Sequence, residues 1–213
     1  YRRQRQMCIR DSDGTLTDRS TGEIVPSARE ALTRLEENGH FVAIATGRAH
    51  YKARKFTDAN GFKNMVCCGG NGCVIDNELV ENIPLDKDGC IKIIHQAEEL
   101  GYGWCVALDD TKDVYMTDDK FLRQVGKRKE PTRYIIDDML EVEKADAIYK
   151  VYVAIPKEDE EKLTTKELVG HLRFEPEYLM FQPDNKRGGI IKMMEHLLSL
   201  IHISEPTRRR GIS

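Results

Sequence analysis

Apolar residues alternate with polar ones in two different rhythms along this chain, and the change between them divides it. In the first rhythm, Phe41-Val42-Ala43-Ile44-Ala45 is an unbroken apolar run, as expected of a strand buried on both faces of a parallel sheet. Ahead of it, Ser27-Ala28-Arg29-Glu30 reads as a capping box, and Ala28, Ala31, Leu32 and Leu35 share one helical face before Gly39 stops the helix. A helical segment over 49–60 and a strand at Met65-Val66-Cys67-Cys68 follow, and Met7-Cys8-Ile9 offers a short strand near the start. Strand, helix, strand, helix, strand predicts a parallel sheet with crossover helices, whose functional groups gather at the carboxyl ends of the strands.

The second rhythm starts at about Leu79. A helix over Gly89–Leu100 leads to strand-like Trp104–Leu108 and Val114–Met116, then to a helix near Asp118–Val125 and a polar, proline-containing connection. Residues Ile148–Ile155 form the clearest alternating strand of the chain. Helix is predicted over Asp159–Val169, and a closing hairpin from Leu172–Phe174 and Tyr178–Phe181. Elements without regular alternation predict an α+β unit with an antiparallel sheet.

Chemistry enters with Asp11-Ser12-Asp13-Gly14-Thr15-Leu16-Thr17-Asp18. Two carboxylates one residue apart at a strand end point to the same side, so Asp11 suits attack on phosphorus and Asp13 proton transfer. A plain acidic turn has the same composition. Thr46-Gly47-Arg48 closes the apolar run 41–45 ahead of a helix, which suits phosphate oxygens; Thr46 also suits a helix N-cap. Asn185-Lys186-Arg187-Gly188-Gly189 opens a late amphipathic helix, where Lys186 suits a developing phosphoryl charge or an ordinary solvated surface.

In this order the motifs resemble those of the haloacid dehalogenase (HAD)-like hydrolases, specifically Cof-type phosphatases with a large cap inserted after the third strand. Asp11 matches the nucleophile and Asp13 the general acid/base of D-x-D-G-T; Thr46 matches the second motif, Lys186 the third, and Asn71-Gly72-Cys73 the N-G-A feature leading into the cap. The resemblance implies a Rossmann-like parallel-sheet α/β core with an inserted α+β cap of type C2. It places core over 13–78, cap over 79–184 and a return helix over 185–197. It further implies an aspartyl-phosphate intermediate, substrate contacts from Gly14, Thr15, Gly47, Arg48, Asn71 and Gly72, and Mg²⁺ held by Asp11 and Asp13. Small phosphorylated metabolites (sugar phosphates or phosphorylated cofactors) are the implied substrates. A fourth motif, G-D-x-x-N-D, supplies further magnesium ligands in the family, and nothing after Leu197 resembles it. A phosphomutase-like phosphotransferase and a catalytically inactive fragment are the alternative readings.

The two ends share a further property. Leu198–Ile203 can be encoded by CTGTCTCTTATACACATC, and the reverse complement of that DNA, read one base in, encodes Met7-Cys8-Ile9-Arg10-Asp11. Segments 1–12 and 198–213 are therefore expected to be foreign to the gene, with Asp11 inside the first.

Composition narrows the classes. Charged residues are 32% of the chain with a net charge of −3, so no broad cationic field invites nucleic acid or an anionic membrane. No apolar stretch approaches the ~20 residues of a membrane span. Six cysteines lack paired C-x-x-C zinc spacing and read as reduced, small hydrophobes of a cytoplasmic protein. In the cap, Trp104 is expected in the core and His95 on a helix surface. Tyr115 and Arg173 are the remaining weak substrate-contact candidates. Oligomeric state is left open.

Overall fold

The computed structural model describes residues 7–11, 16, 24–127 and 132–204. Asp13, Gly14 and Thr15 lie outside them, as do the outer parts of both end segments, 1–6 and 205–213. The chain begins with β1 (Met7–Asp11), α1 (Pro26–Glu37), β2 (Phe41–Ala45), α2 (His50–Asn60) and β3 (Met65–Cys67). A hairpin of β4 (Gly72–Ile75) and β5 (Glu78–Asn82) follows. These strands form one sheet in the order β1-β2-β3-β4-β5, parallel from β1 to β3 and antiparallel beyond. The hairpin turns at Asp76 and Asn77, both with positive φ (50° and 68°). Such a turn matches the twist of the strands it joins. The first sheet thus runs to Asn82, past the position where the sequence rhythm changes.

One helix start differs from expectation. Pro26 opens α1 with Val25 as its cap residue, and no side chain caps it, so Ser27 is inside the first turn instead of capping it. Proline's fixed φ suits the first helical position and its missing N–H costs nothing there.

The second unit runs through α3 (Lys87–Glu99), β6 (Trp104–Ala107), β7 (Asp113–Met116), α4 (Lys120–Val125), β8 (Arg133–Ile136), β9 (Lys150–Val153), β10 (His171–Glu175) and β11 (Tyr178–Phe181). Its sheet has the order β10-β11-β9-β6-β7-β8 and is antiparallel except between β7 and β8. β8 lies in the stretch read from sequence as a polar connection. The helix expected over 159–169 is instead two short 3₁₀ turns, Lys157–Lys162 and Thr164–Leu168, separated by the fully buried Leu163. The charged run before Leu163 carries no apolar stripe to hold a longer helix against the sheet. The chain then returns to the first sheet as α5 (Lys186–Ser204).

Packing follows the period of two within each strand. Val42 and Ile44 face α1 and α2, among Leu32, Ala53 and Phe62, whereas Ala43 and Ala45 face α5 at Met193. The first sheet is therefore buried on both faces. In the second sheet, Trp104, Val106, Val151 and Val153 pack on Ile93 and Ile94 of α3. The opposite face, with Cys105, Ala107, Tyr152 and Met180, is only partly covered by Phe121 of α4. Among the described residues no helix is long and apolar enough to cross a membrane.

Candidate active site

Three strand ends and one helix start meet at a pair of glycines. β1 pairs with β2 so that the Asp11 backbone lies beside Ala45, one residue before Thr46. Thr46 continues the ladder, its N–H donating to Val66 O at 2.9 Å, and its buried hydroxyl accepts from Arg48 N at 3.2 Å. Gly69 N donates to Thr46 O at 3.4 Å, and Asn185 N donates to Gly69 O at 2.7 Å. The turn at Gly69-Gly70 thereby ties Thr46 to the residue that precedes Lys186. Both glycines have positive φ (66° and 115°), and a Cβ on Gly69 would stand 1.7 Å from Pro183 O. A Cβ on Gly70 would stand 2.2 Å from Asn185 O. Only glycine permits so close a backbone crossing.

Of the positions expected from sequence, the backbones of Thr46 and Asn185, next to Lys186, are joined through Gly69, and the Asp11 backbone lies beside Ala45. Asp13, Gly14 and Thr15 lie outside the described residues. Gly47, Arg48 and Asn71 line a cleft of about 720 Å³ between the two sheets, which Thr46 and Lys186 do not line. Gly72 does not line it: it is buried in β4, where a Cβ would stand 2.4 Å from Cys67 Sγ. Asn71 clamps the connection leaving the first sheet, since its Nδ2 donates to Ile83 O (3.0 Å) and Ile83 N donates to its carbonyl (2.8 Å).

The start of α2 is used differently from expectation. An anion does sit there, but it belongs to the protein. Asp110, from the β6–β7 loop, accepts from Tyr51 N at 3.0 Å and pairs with His50 Nδ1 at 2.6 Å, with the His50 side chain only 10% exposed. A carboxylate at a helix N-terminus is favourable, and here it docks the cap onto the core. Tyr51 N at this helix start is thus taken by a carboxylate of the protein itself, and the Gly69 turn links Thr46 to the start of α5.

The remaining cap expectations resolve simply. Trp104 is buried, its indole N–H donating to Glu98 at 2.8 Å, and the surface residue His95 pairs with Glu143 at 2.8 Å. Arg173 bonds Glu160 at 2.6 Å and gathers backbone carbonyls, so it braces the cap. Tyr115 packs at the edge of the core over α3.

Sequence reasoning did not find Lys150. It stands on the cleft side of β9, two residues from Tyr152 and opposite Ala107. Its charge reaches across the cleft to Cys68, whose thiol is drawn below the usual range by the hydrogen bond with Cys67, then by Lys150 and by the His50 amide. The partner Cys67 is pushed up, by that hydrogen bond and by burial. Burial pushes Cys73 up to about 11 and Cys90 to about 12, consistent with their packing as small hydrophobes.

The donors available for magnesium are few. Among the described residues no three His, Cys, Asp or Glu side chains lie together as a metal site. Asp13 lies outside those residues, and Asp11 and Asp13 together would supply only part of an octahedral oxygen shell.

Solved structures share this architecture. A hypothetical protein of Geobacillus kaustophilus superposes with a TM-score of 0.71 at 22% identity, over 91% of this chain and 76% of its own. The phosphatase BT1666 of Bacteroides thetaiotaomicron gives 0.69 at 18% identity, over 91% and 73%. BT4131, a HAD subclass IIB sugar phosphatase, gives 0.63 at 20% identity, over 91% and 76%. In sequence, YkrA of Bacillus subtilis, provisionally named a phosphatase, is 26% identical over 108 residues, which are 51% of this chain and 42% of YkrA. The chain thus matches less than half the length of that relative. The model of the haloacid dehalogenase-like hydrolases matches residues 8–195, and with an α/β core and inserted α+β cap in place, the chain belongs to that family.

Proposed function

We propose that this chain carries the site of a phosphatase acting on small phosphorylated metabolites through an aspartyl-phosphate. Asp11 attacks the phosphorus of a monoester as nucleophile. Asp13 protonates the departing alkoxide and later takes a proton from the water that cleaves the acyl phosphate. Thr46 and Lys186 bind the phosphoryl oxygens, the hydroxyl by hydrogen bond and the ammonium by charge. Gly47, Arg48 and Asn71 face the organic part of the substrate. Lys150 brings a cap cation to the same space, which favours anionic ligands. One observation supports the reading above others: the Gly69-Gly70 turn holds the end of β2 and the start of α5 together beside a cleft.

Magnesium dependence is part of this reading through Asp11 and Asp13, and bound magnesium would offset phosphoryl charge. A cytoplasmic setting fits the five cysteines whose side chains are described, all of them free. Asp13→Asn is expected to abolish turnover of p-nitrophenyl phosphate while leaving the circular dichroism spectrum unchanged. Turnover equal to that of the parent chain would remove Asp13 from the mechanism. A magnesium titration of the parent chain gives a rate that rises with the ion if the metal belongs to the site.

A further inference from the structure

Two side-chain amides at the cleft carry buried oxygens with no hydrogen-bond partner: Asn82 Oδ1 and Gln182 Oε1. Gln182 is 2% exposed. A third unpartnered atom among the described residues, Arg173 Nη2, belongs to a guanidinium already held by Glu160 and several carbonyls, and Arg173 does not line the cleft. The two amides occupy matching places. Asn82 ends β5, where the chain leaves the first sheet, and Gln182 follows β11, where it comes back. Their backbones are pinned: Ile83, next to Asn82, is clamped by Asn71, and Gln182 N donates to Gly170 O at 2.8 Å. The Gln182 amide also lies against the phosphate-side loop, with Nε2 3.4 Å from where a Cβ on Gly47 would stand.

A buried polar atom without a partner is costly, and native structures hold few of them. Two on the wall of one cleft suggest that their partners arrive with a ligand. A hydroxyl can both donate and accept, so it suits a side-chain amide in either orientation.

We propose that Asn82 and Gln182 bind hydroxyl groups of the substrate, so that the cleft selects sugar or polyol phosphates over esters of hydroxyl-free alcohols. The inference rests on the phosphatase reading above and deepens it. Pinned linkers place the amides before the ligand arrives, which keeps the ordering cost of binding low. A site built to bond a hydroxyl rejects ligands lacking it, because its own polar atoms then stay unpaired.

The test compares Gln182→Met and Asn82→Leu with the parent chain, using glucose 6-phosphate and p-nitrophenyl phosphate. In each variant the ratio of kcat/KM for the sugar phosphate to that for the nitrophenyl ester is expected to fall about tenfold or more. An unchanged ratio overturns the proposal. Melting without ligand reads the orphan oxygens directly. A temperature held or raised in the variants agrees with oxygens that lack an internal partner, and a clear fall in both overturns the proposal. If the parent chain turns over neither ester, the phosphatase reading fails, and the amides are then judged by thermal shift alone. Stabilisation of the parent, but not of the variants, by glucose 6-phosphate upholds them; equal stabilisation of all three overturns them.

Discussion

The two sheets obey the same alternation and use it for opposite ends. In the first, Val42 and Ile44 go to one set of helices and Ala43 and Ala45 to another, so neither face is left for a ligand. What remains is the rim, and there the polypeptide crowds until side chains are excluded: Gly69, Gly70 and Gly189 would each drive a Cβ to within 2.5 Å of a backbone oxygen. In the second, α3 takes one face and the other turns Lys150, Tyr152 and Met180 toward the cleft. On the proposed reading, backbone holds the reacting end and side chains on a sheet face meet the rest of the substrate.

One substitution made in both regions tests that contrast most severely. Gly69 and Gly101 both have positive φ (66° and 82°), but a Cβ on Gly101 meets nothing within 4 Å. Gly101→Ala is expected to cost only the left-handed backbone penalty, roughly 1–2 kcal/mol. Gly69→Ala adds a collision with the carbonyl of Pro183, and its cost is expected to reach roughly 4 kcal/mol or more. Urea midpoints followed by circular dichroism give both values. Equal losses would mean that the crossing at Gly69 yields easily, and the rigid rim would be an illusion.

The link between the regions comes next in size. Asp110→Ala leaves Tyr51 N and the His50 ring without their carboxylate, and a hydrogen bond to a charged partner contributes about 1.5–3 kcal/mol. The Tyr51 amide is expected to exchange with deuterium roughly ten- to a hundredfold faster, with Gly101 and its neighbours unaffected. Unaltered exchange at Tyr51 would show that the cap docks by other contacts.

How far the sequence reveals all this follows from the range of each interaction. The apolar run 41–45 and the Thr46 and Lys186 motifs are local signals, and each lands at a strand end or helix start. Asp76-Asn77 is also a local turn signal, yet the hairpin it makes lies where the sequence rhythm shifts, and β5 reads as the start of the cap. Helix over 159–169 fails because charge density resembles a solvated helix, whereas Leu163 and Val169 anchor the segment in the core over α3. The Asp110 dock joins positions 60 residues apart in the chain, and the unpartnered oxygens of Asn82 and Gln182 exist only once two linkers are brought to one cleft. No window of sequence contains those facts.

The smallest expected effect lies at the outer edge of the second sheet, where β7 and β8 run parallel. Asp113 faces Arg133 across that pair, and the guanidinium grips its carboxylate with two hydrogen bonds, Nε to Oδ1 at 2.7 Å and Nη2 to Oδ2. That hydrogen bonding, aided by the charges of Arg133 and Lys112, holds the Asp113 carboxyl below its ordinary range. A carboxyl lowered on folding stabilises above its unfolded pKa of about 3.9, and the contribution is lost as pH falls through the folded value. Arg133→Gln should therefore reduce the difference in urea midpoint between pH 7 and pH 3, by destabilising the pH 7 state alone. The Arg133 side chain is 64% exposed, so water and salt screen the pair and the effect is small. Half-molar salt should shrink it further in the parent chain. If parent and variant show the same pH profile, the edge of the second sheet is held by its ladder alone, and the ion pair adds nothing to the contrast with the charge-free interior of the first.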